Sequence, residues 1–326
     1  IEIHPIMTLT SAQYAPGISK ESIDRVRQLV GNTPLYEIKR VYQKPGVRIF
    51  AKLEWQQIGG SVKSRPAFPI LEDALQKGLL TPGKKLLDAS SGNTGIAYAA
   101  IGAALGVPIT LCLPENASAE RKRILQSLGV EIIYTSRFES TDGSQIKAKE
   151  LYREFPDRYY YADQYANPNN WKAHYDTTSV EIWNQTRQEV THFVAGLGTT
   201  GTFMGTGRGL KRFNSDIRLV GLQPNNPMHG LEGWKHLETA IVPKIYDDTV
   251  ADEIQEVDTL EAYDWVKKIA TQEGLLVSPS AAANLLGAVQ VAETIQEGVI
   301  VTTFADSADK YTEVIDQIFN NPSKNI

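Results

Sequence analysis

Short apolar, β-branched runs alternate along the chain with longer stretches in which apolar residues return every third or fourth position. The short runs fall at residues 48–53, 85–88, 109–113, 131–134, 192–195, 219–223 and 298–303. The helix-periodic stretches fall at 65–77, 94–105, 119–128, 143–154 and 282–294. A run apolar at successive positions buries both faces of a strand, and such strands belong to parallel sheets covered by crossover helices. The alternation therefore predicts an α/β fold with mainly parallel sheets. The strands form two groups, parted by the turn-rich segment Asn167-Pro168-Asn169-Asn170. In such folds ligands bind beyond the carboxyl ends of strands, so the loops that follow strands are where chemistry is expected.

Composition narrows the picture. Residues 95–113 carry no charge and are long enough to cross a bilayer, but Gly102, Gly106 and Pro108 interrupt them. They read as a buried helix, a turn and a strand. The 326 residues are 42% hydrophobic and 22% charged, which is ordinary globular composition with length for two domains. With 33 Lys+Arg against 38 Asp+Glu and no basic run, neither nucleic acid nor a membrane surface is expected as a partner. The single cysteine, Cys112, excludes an intrachain disulfide framework, a cysteine-rich zinc site and a CxxC redox centre, and makes the cytoplasm the expected compartment. Cys112 itself lies in an apolar strand and reads as a buried thiol. The five histidines lack metal-binding spacing, so no metal is expected. No signal peptide is evident, and Met7 is read as the natural start, with the residues before it an addition.

Three post-strand loops carry candidate chemistry. Gly59-Gly60-Ser61-Val62-Lys63-Ser64-Arg65 places Lys63 at the start of a helix, where a desolvated lysine near the positive end of the dipole suits Schiff-base chemistry. A surface lysine after a flexible turn fits the same residues. Ala89-Ser90-Ser91-Gly92-Asn93-Thr94-Gly95 offers hydroxyls, an amide and free N–H groups at a helix N-terminus, as an anion needs, and fits a plain capping segment equally. Gly196-Leu197-Gly198-Thr199-Thr200-Gly201-Thr202 matches GxGxxG. The next strand ends in Gln223, where a dinucleotide fold places an acidic residue, so the threonines among the glycines read as a cup for a single phosphate.

A reactive lysine, a carboxylate loop and a phosphate cup are together what a pyridoxal phosphate enzyme of amino acids needs. The chain resembles the cysteine synthase (O-acetylserine sulfhydrylase) family, in particular its cysteine synthase B-like branch. The likeness runs from Gly31-Asn32-Thr33-Pro34-Leu35 to about Tyr311. It is carried by Gly60-Ser61-Val62-Lys63, Ser91-Gly92-Asn93-Thr94-Gly95, Pro114-Glu115-Asn116, Gln164-Tyr165-Ala166-Asn167-Pro168 and Gly198-Thr199-Thr200-Gly201-Thr202.

The resemblance implies a fold-type II pyridoxal phosphate enzyme, with two open, twisted, mostly parallel sheets flanked by helices and the active site between them. It divides the chain into a smaller mobile domain, 11–170, and a second domain, 171–326, onto which residues near the N-terminus can cross. It makes Lys63 the cofactor-linked lysine and Asn93 the partner of the cofactor's phenolic oxygen. Gly198, Thr199, Thr200, Gly201 and Thr202 hold the phosphate, and Ser280 meets the pyridine nitrogen. Ser90, Ser91, Asn93 and Thr94, with Gln164, receive the substrate carboxylate. The implied reaction is β-replacement of O-acetylserine or O-phosphoserine by a sulfur nucleophile, through an aminoacrylate intermediate, to give cysteine. A homodimer is implied, and a sulfur-carrier protein is one of the sulfur sources it allows. Other β-replacement or elimination reactions, of the cystathionine β-synthase, diaminopropionate-forming or serine/threonine dehydratase kind, are the alternative within the class.

Several positions depart from the family pattern. Ser64 stands for the usual Asp after the lysine, and Gln57-Ile58 for Asn-Pro. Around the ring-nitrogen serine the chain reads Ser278-Pro279-Ser280-Ala281-Ala282, which makes Ser278 a substitute candidate for Ser280. The segment 228–236 is placed at the cleft mouth by resemblance, where an inward Lys235 pairs with a substrate phosphate and an outward one is a solvated charge over Trp234. The run Glu120-Arg121-Lys122-Arg123 is expected to be the exposed face of a helix.

Overall fold

The structure is a computed structural model and describes residues 17–138 and 140–320. Met7 and the residues before it lie outside the described part.

Two sheets form. The smaller holds β3 (Lys85–Ala89), β4 (Ile109–Pro114), β5 (Glu131–Thr135) and β6 (Tyr159–Tyr161) in the order β5-β4-β3-β6. All its pairings are parallel. The larger holds β1 (Leu35–Ile38), β2 (Val47–Leu53), β7 (His192–Gly196), β8 (Arg218–Pro224), β9 (Glu253–Val257) and β10 (Gly298–Phe304), in the order β1-β2-β10-β7-β8-β9. Only the hairpin pair β1–β2 is antiparallel. The α/β class with mainly parallel sheets is as the alternation predicts.

Both faces of each sheet are covered, which is why the strands read as continuous apolar runs. In the small sheet, Leu86, Ile109, Leu111 and Leu113 pack with α1 (Lys20–Arg27), α2 (Ser64–Gln76) and α3 (Asn93–Leu105). Leu87 and Cys112 face the other side, toward Ala148 of α5 (Ser140–Glu154). Each such leucine contributes about 1.5–3 kcal/mol by leaving water. On the large sheet, α9 (Thr259–Glu273), α10 (Pro279–Thr294) and α11 (Thr312–Asn320) cover one face, and α7 (Ser179–Gln185) and α8 (Gly201–Phe213) the other. The small residues of α10 let it lie close to the sheet, with Gly287 against Leu222.

The uncharged stretch 95–113 is α3, a left-handed cap at Gly106 (φ 72°) and β4. Among the described residues no helix is long and apolar enough to cross a membrane. The chain also crosses between sheets in a way the run pattern does not show. β1 and β2 precede the small sheet in sequence yet join the large one, where all of β2 runs alongside β10. Elements with no clear run signal are β1, β6, β9 and the helices α1, α6 (Asn169–Ala173), α7, α9 and α11. The strand β9 reads Glu-Ile-Gln-Glu-Val because it is an edge, where one row of side chains meets water.

Behind the cleft between the sheets lies a buried charge cluster. Arg65 of α2 is 1% exposed and donates to both oxygens of Glu54 (Nε 2.6 Å, Nη2 2.9 Å) and of Glu181 on α7 (Nη1 2.7 Å, Nη2 2.8 Å). Lys52 of β2 donates to Glu181 at 2.6 Å. Two cations thus balance two anions.

Candidate active site

The post-strand loops converge on one cleft between the sheets. Its lining includes Lys63, Ser90, Ser91, Asn93, Thr94, Gln164, Gly198, Thr199, Thr200, Thr202, Lys235 and Ser280. Of the thirteen predicted site residues only Gly201 is not on the wall; it opens α8 directly beneath the loop.

Lys63 is the residue before α2, reached through a tight turn in which Gly59 (φ 76°) and Gly60 (φ 62°) adopt left-handed backbone. The turn is stitched to the end of β10: Val62 N–H donates to Ala305 O at 2.8 Å, and Ser61 forms a bridge with Asp306. Lys310 closes it from the other side, donating to Gly59 O (3.1 Å) and Gly60 O (2.8 Å). Burial pushes the Lys63 amine below its ordinary value, and the Asp306 carboxylate opposes that shift.

The 90–95 loop is organised from within. Ser90 Oγ accepts from Gly92 N–H (3.3 Å) and Gly95 N–H (3.1 Å), so this hydroxyl caps the turn. Thr94 donates to Gln164 Oε1 at 2.7 Å, and Gln164 Nε2 donates to Ala89 O at 3.2 Å. The Ser91 side chain has no hydrogen-bond partner among the described residues and faces the cleft. Asn93 is held tightly: its amide donates to Asp306 Oδ2 (2.7 Å) and Tyr311 Oη (3.3 Å), and its carbonyl accepts from Lys310 (3.1 Å). Below the loop, the carboxylate of Asp88, buried at the end of β3, accepts from Ala89 N–H (2.8 Å) and Gln164 N–H (3.3 Å). Burial raises its pKa to about 7.

The 196–202 loop forms the opposite wall. A Cβ on Gly198 would lie 1.9 Å from Gly233 O, and one on Gly201 would lie 2.0 Å from Asn170 Oδ1, so only glycine fits either position. Thr200 has left-handed backbone (φ 70°) and a buried hydroxyl with no protein partner. Asn170 donates to Thr199 Oγ1 (3.1 Å), and His174 Nε2 lies 3.3 Å from Thr202 Oγ1. Burial, with Arg65 and Lys63 nearby, drives the His174 pKa well down, so the ring is neutral. Gln223 accepts from Leu237 N–H at 3.3 Å.

Ser280 lines the cleft, whereas Ser278 is fully buried and caps α10 through Ala281 N–H (3.2 Å). The two hydroxyls are 3.2 Å apart. Lys235 also lines the cleft, its ammonium 5.3 Å from the centre of the Tyr165 ring, and among the described residues it has no carboxylate within ion-pair distance. Trp234 packs beneath it against Gly196. Arg121, expected on an exposed face, is 8% exposed instead. It turns into the cleft, pairs with Glu232 at 2.6 Å and lies over the Tyr311 ring at 4.8 Å. The neighbouring Arg123 remains exposed.

Asp306, Tyr311, Lys310, Arg121, Asn170 and His174 are the site residues that reading the sequence missed. Asn170 sits in the segment taken as a joint, and Asp306 and Tyr311 follow a strand whose loop carries no glycine or threonine signature.

A partnerless hydroxyl at Thr200, close-packed glycines and a helix N-terminus make a cradle for a phosphate, and a partly desolvated amine stands across the cleft. The residues present fit pyridoxal phosphate. Fold and site thus define a pyridoxal phosphate enzyme, and residues 26–306 match the family described as pyridoxal-phosphate dependent enzyme. The chain is 46% identical to the cysteine synthase of Aquifex aeolicus over 299 residues, covering 90% of this chain and 91% of that one. It is 36% identical to cysteine synthase B of Pseudomonas aeruginosa over 288 residues, covering 88% and 95%. Among solved structures, the cysteine synthase of Entamoeba histolytica superposes with a TM-score of 0.86 at 28% identity, covering 98% and 96%. The chain belongs to the cysteine synthase family of pyridoxal phosphate-dependent enzymes.

Proposed function

We propose that the chain makes cysteine by replacing the β-substituent of an O-activated L-serine with sulfur. The observation that carries this reading is the meeting of Lys63, the 90–94 loop and the 198–202 loop on one cleft. When bound, the cofactor supplies an electron sink that acidifies the substrate's α-carbon and lets the β-substituent leave. Gly198, Thr199, Thr200, Gly201 and Thr202 hold its phosphate, with Thr200 Oγ1 supplying the otherwise unused donor. Ser280 is the neutral partner of the ring nitrogen, Ser278 being committed to its helix cap. Asn93, held by Asp306 and Lys310, gives up its long 3.3 Å bond to Tyr311 and donates that N–H to the phenolic oxygen.

The Ser91 hydroxyl, with the N–H groups that open α3, that of Thr94 among them, orients the substrate carboxylate, and Ser90, the Thr94 hydroxyl and Gln164 keep that loop in shape. Lys63 Nζ takes the α-proton and later returns it to the same carbon. A neutral serine at the ring nitrogen makes the sink weaker than an aspartate would, which favours departure of the β-group over long-lived carbanion chemistry. The half of the molecule around the small sheet closes over the bound carboxylate and excludes water, which otherwise diverts the substrate, once its β-substituent has left, to pyruvate and ammonia.

Lys235 supplies an unpaired cation for an anionic leaving group, and this favours O-phosphoserine over O-acetylserine as the donor. The same reading places the enzyme in the cytoplasm as a homodimer. Its sulfur comes from sulfide, thiosulfate or the thiocarboxylate of a sulfur-carrier protein.

The test is cysteine formation from sulfide with each donor. The parent is expected to form cysteine, and Lys63→Ala to lose at least about a thousandfold in kcat, the upper range for removing a positioned acid–base group. Lys235→Ala is expected to lose about tenfold or more in kcat/KM with O-phosphoserine and little with O-acetylserine, the loss of one charge-assisted contact. A parent that forms no cysteine with either donor overturns the reading.

A further inference from the structure

A carboxylate in the cleft is left over once the known chemistry is assigned. Only two carboxylates line the cleft among the described residues, Glu232 and Asp306. Glu232 is half exposed and paired with Arg121. Asp306 is 0% exposed; its Oδ2 accepts from Asn93 Nδ2 (2.7 Å) and Tyr311 Oη (2.6 Å), while its Oδ1 is buried without any protein partner. A buried carboxylate oxygen in that state costs stability and persists where a function uses it. The stitching of Ser61 and Val62 to residues 305–306 fixes this carboxylate two residues from the chain position of Lys63.

We propose that Asp306, which makes no direct ion pair with Lys63 at rest, is a positioning residue that serves as its counter-charge across the cleft while Lys63 carries the proton taken from the substrate. This rests on the acid–base role given above to Lys63. The α-carbon–hydrogen bond breaks, its electron pair stays on the substrate side, and the proton passes to Lys63 Nζ. Asp306 takes no part in the transfer itself. After sulfur has bonded to the β-carbon, the same proton returns to the α-carbon and Lys63 is neutral again.

The other charged and titratable groups around Lys63 are otherwise engaged. Lys310 is bound to the Gly59 and Gly60 carbonyls and to Asn93 Oδ1, and it shares the charge of Asp306 with Lys63. Arg121, from α4 (Ala119–Ser127), is matched by Glu232. Arg65 is matched by Glu54 and Glu181, and His174 is neutral. The Tyr311 hydroxyl is held by Asp306 itself, and burial keeps it protonated. Asp306 is also the charged group that raises Lys63 against its burial. Without it, the other carboxylate on the cleft wall is Glu232, already paired with Arg121.

The test reads Lys63 directly in the full chain freed of cofactor. Carbamoylation by cyanate is followed at the Lys63 peptide by mass spectrometry across pH 6 to 11. Cyanate attacks the neutral amine, so the midpoint of the rate reports the Lys63 pKa. Asp306→Asn is expected to lower that midpoint by about one unit, a tenfold gain in labelling on the acid side, as loss of a nearby opposite charge does. Asp306→Glu, which keeps the charge, and Tyr311→Phe, which keeps the carboxylate, are expected to stay near the parent. In the holoenzyme, Asp306→Asn is expected to lower kcat with the donor KM little changed.

An unchanged midpoint in Asp306→Asn overturns the proposal, as does an equal shift in Tyr311→Phe, which would make the effect one of packing. If the asparagine chain does not fold by circular dichroism, Asp306→Ala against Asp306→Glu makes the same comparison. Labelling needs neither donor nor sulfur source. A failure of the proposed reaction therefore appears in the cysteine assay, and a failure of the counter-charge appears in the midpoint.

Discussion

Arg65 shows how a single side chain is fixed by its partners. Its guanidinium is out of water and meets two carboxylates with charge-assisted bonds, so removing it strands Glu54 and Glu181 with Lys52 alone. Arg65→Met is expected to cost about 3–5 kcal/mol in urea unfolding, the usual result of breaking a buried ion pair from one side. The partner Glu181 is held down to about 2, first against its burial by hydrogen bonding to Arg65. A carboxylate whose folded value lies below the ordinary 4.5 stabilises the fold fully above that pH. Stability is therefore expected to fall as pH drops from about 4.5 toward 2, and to fall less steeply in Glu181→Gln, whose starting stability is lower.

Asp88 has the opposite sign. Burial lifts it to about 7, so between its ordinary 3.8 and that value the folded chain holds a proton the unfolded chain has lost. Its contribution is present below about 4 and disappears as pH rises through 7. Asp88→Asn keeps an acceptor for Ala89 N–H and is expected to remove this slope. Stability measured at closely spaced pH between 4 and 8 checks it. Neither residue stands out in sequence, because Arg65 reads as a helix-start cation and Asp88 as the polar end of a strand.

At the scale of elements, helix starts and strand ends carry the site. The α10 N-terminus gives two serines two residues apart different roles: Ser278 caps the helix and Ser280 faces the cleft. Ser278→Ala is expected to cost about 1 kcal/mol in thermal or urea unfolding. Ser280→Ala is expected to leave stability nearly unchanged and to alter the visible spectrum of the bound cofactor. The loop between β7 and α8 was legible in the sequence, since its glycines and threonines are the residues a phosphate cup needs. What makes two of those glycines obligatory was not legible. It is the approach of Gly233 and Asn170, distant in sequence, to within 2.0 Å of where a Cβ would be. Gly198→Ala is expected to weaken pyridoxal phosphate binding at least tenfold by displacing the loop, measured by equilibrium dialysis.

At the scale of the whole molecule, Arg121 from α4 and Glu232 from the loop after β8 join the two halves across the mouth of the cleft. Glu232 is largely open to water, so the pair is worth about 1 kcal/mol at most. Glu232→Gln is expected to raise hydrogen exchange about fivefold in α4 while β7, β8 and β10 keep their protection. The deeper join is the Arg65 cluster, which ties β2, α2 and α7 together.

By itself the sequence determined the α/β class, the parallel strands and three chemical loops, because each is written in neighbouring residues through hydrophobic period, turn chemistry and helix-start signals. The loops flagged the segments that hold Lys63, Ser91 and Thr200, and the family resemblance gave those residues their roles. Only the tertiary structure decided that β1 and β2 join the far sheet, since pairing with β10 depends on contacts some 250 residues apart. It also decided that Arg121 turns inward, that Ser280 and not Ser278 reaches the cleft, and that Asp306 lines the same cleft as Lys63. The physical reason is the same in each case: which way a polar side chain points, and whether its charge is answered, depends on groups that only folding brings near.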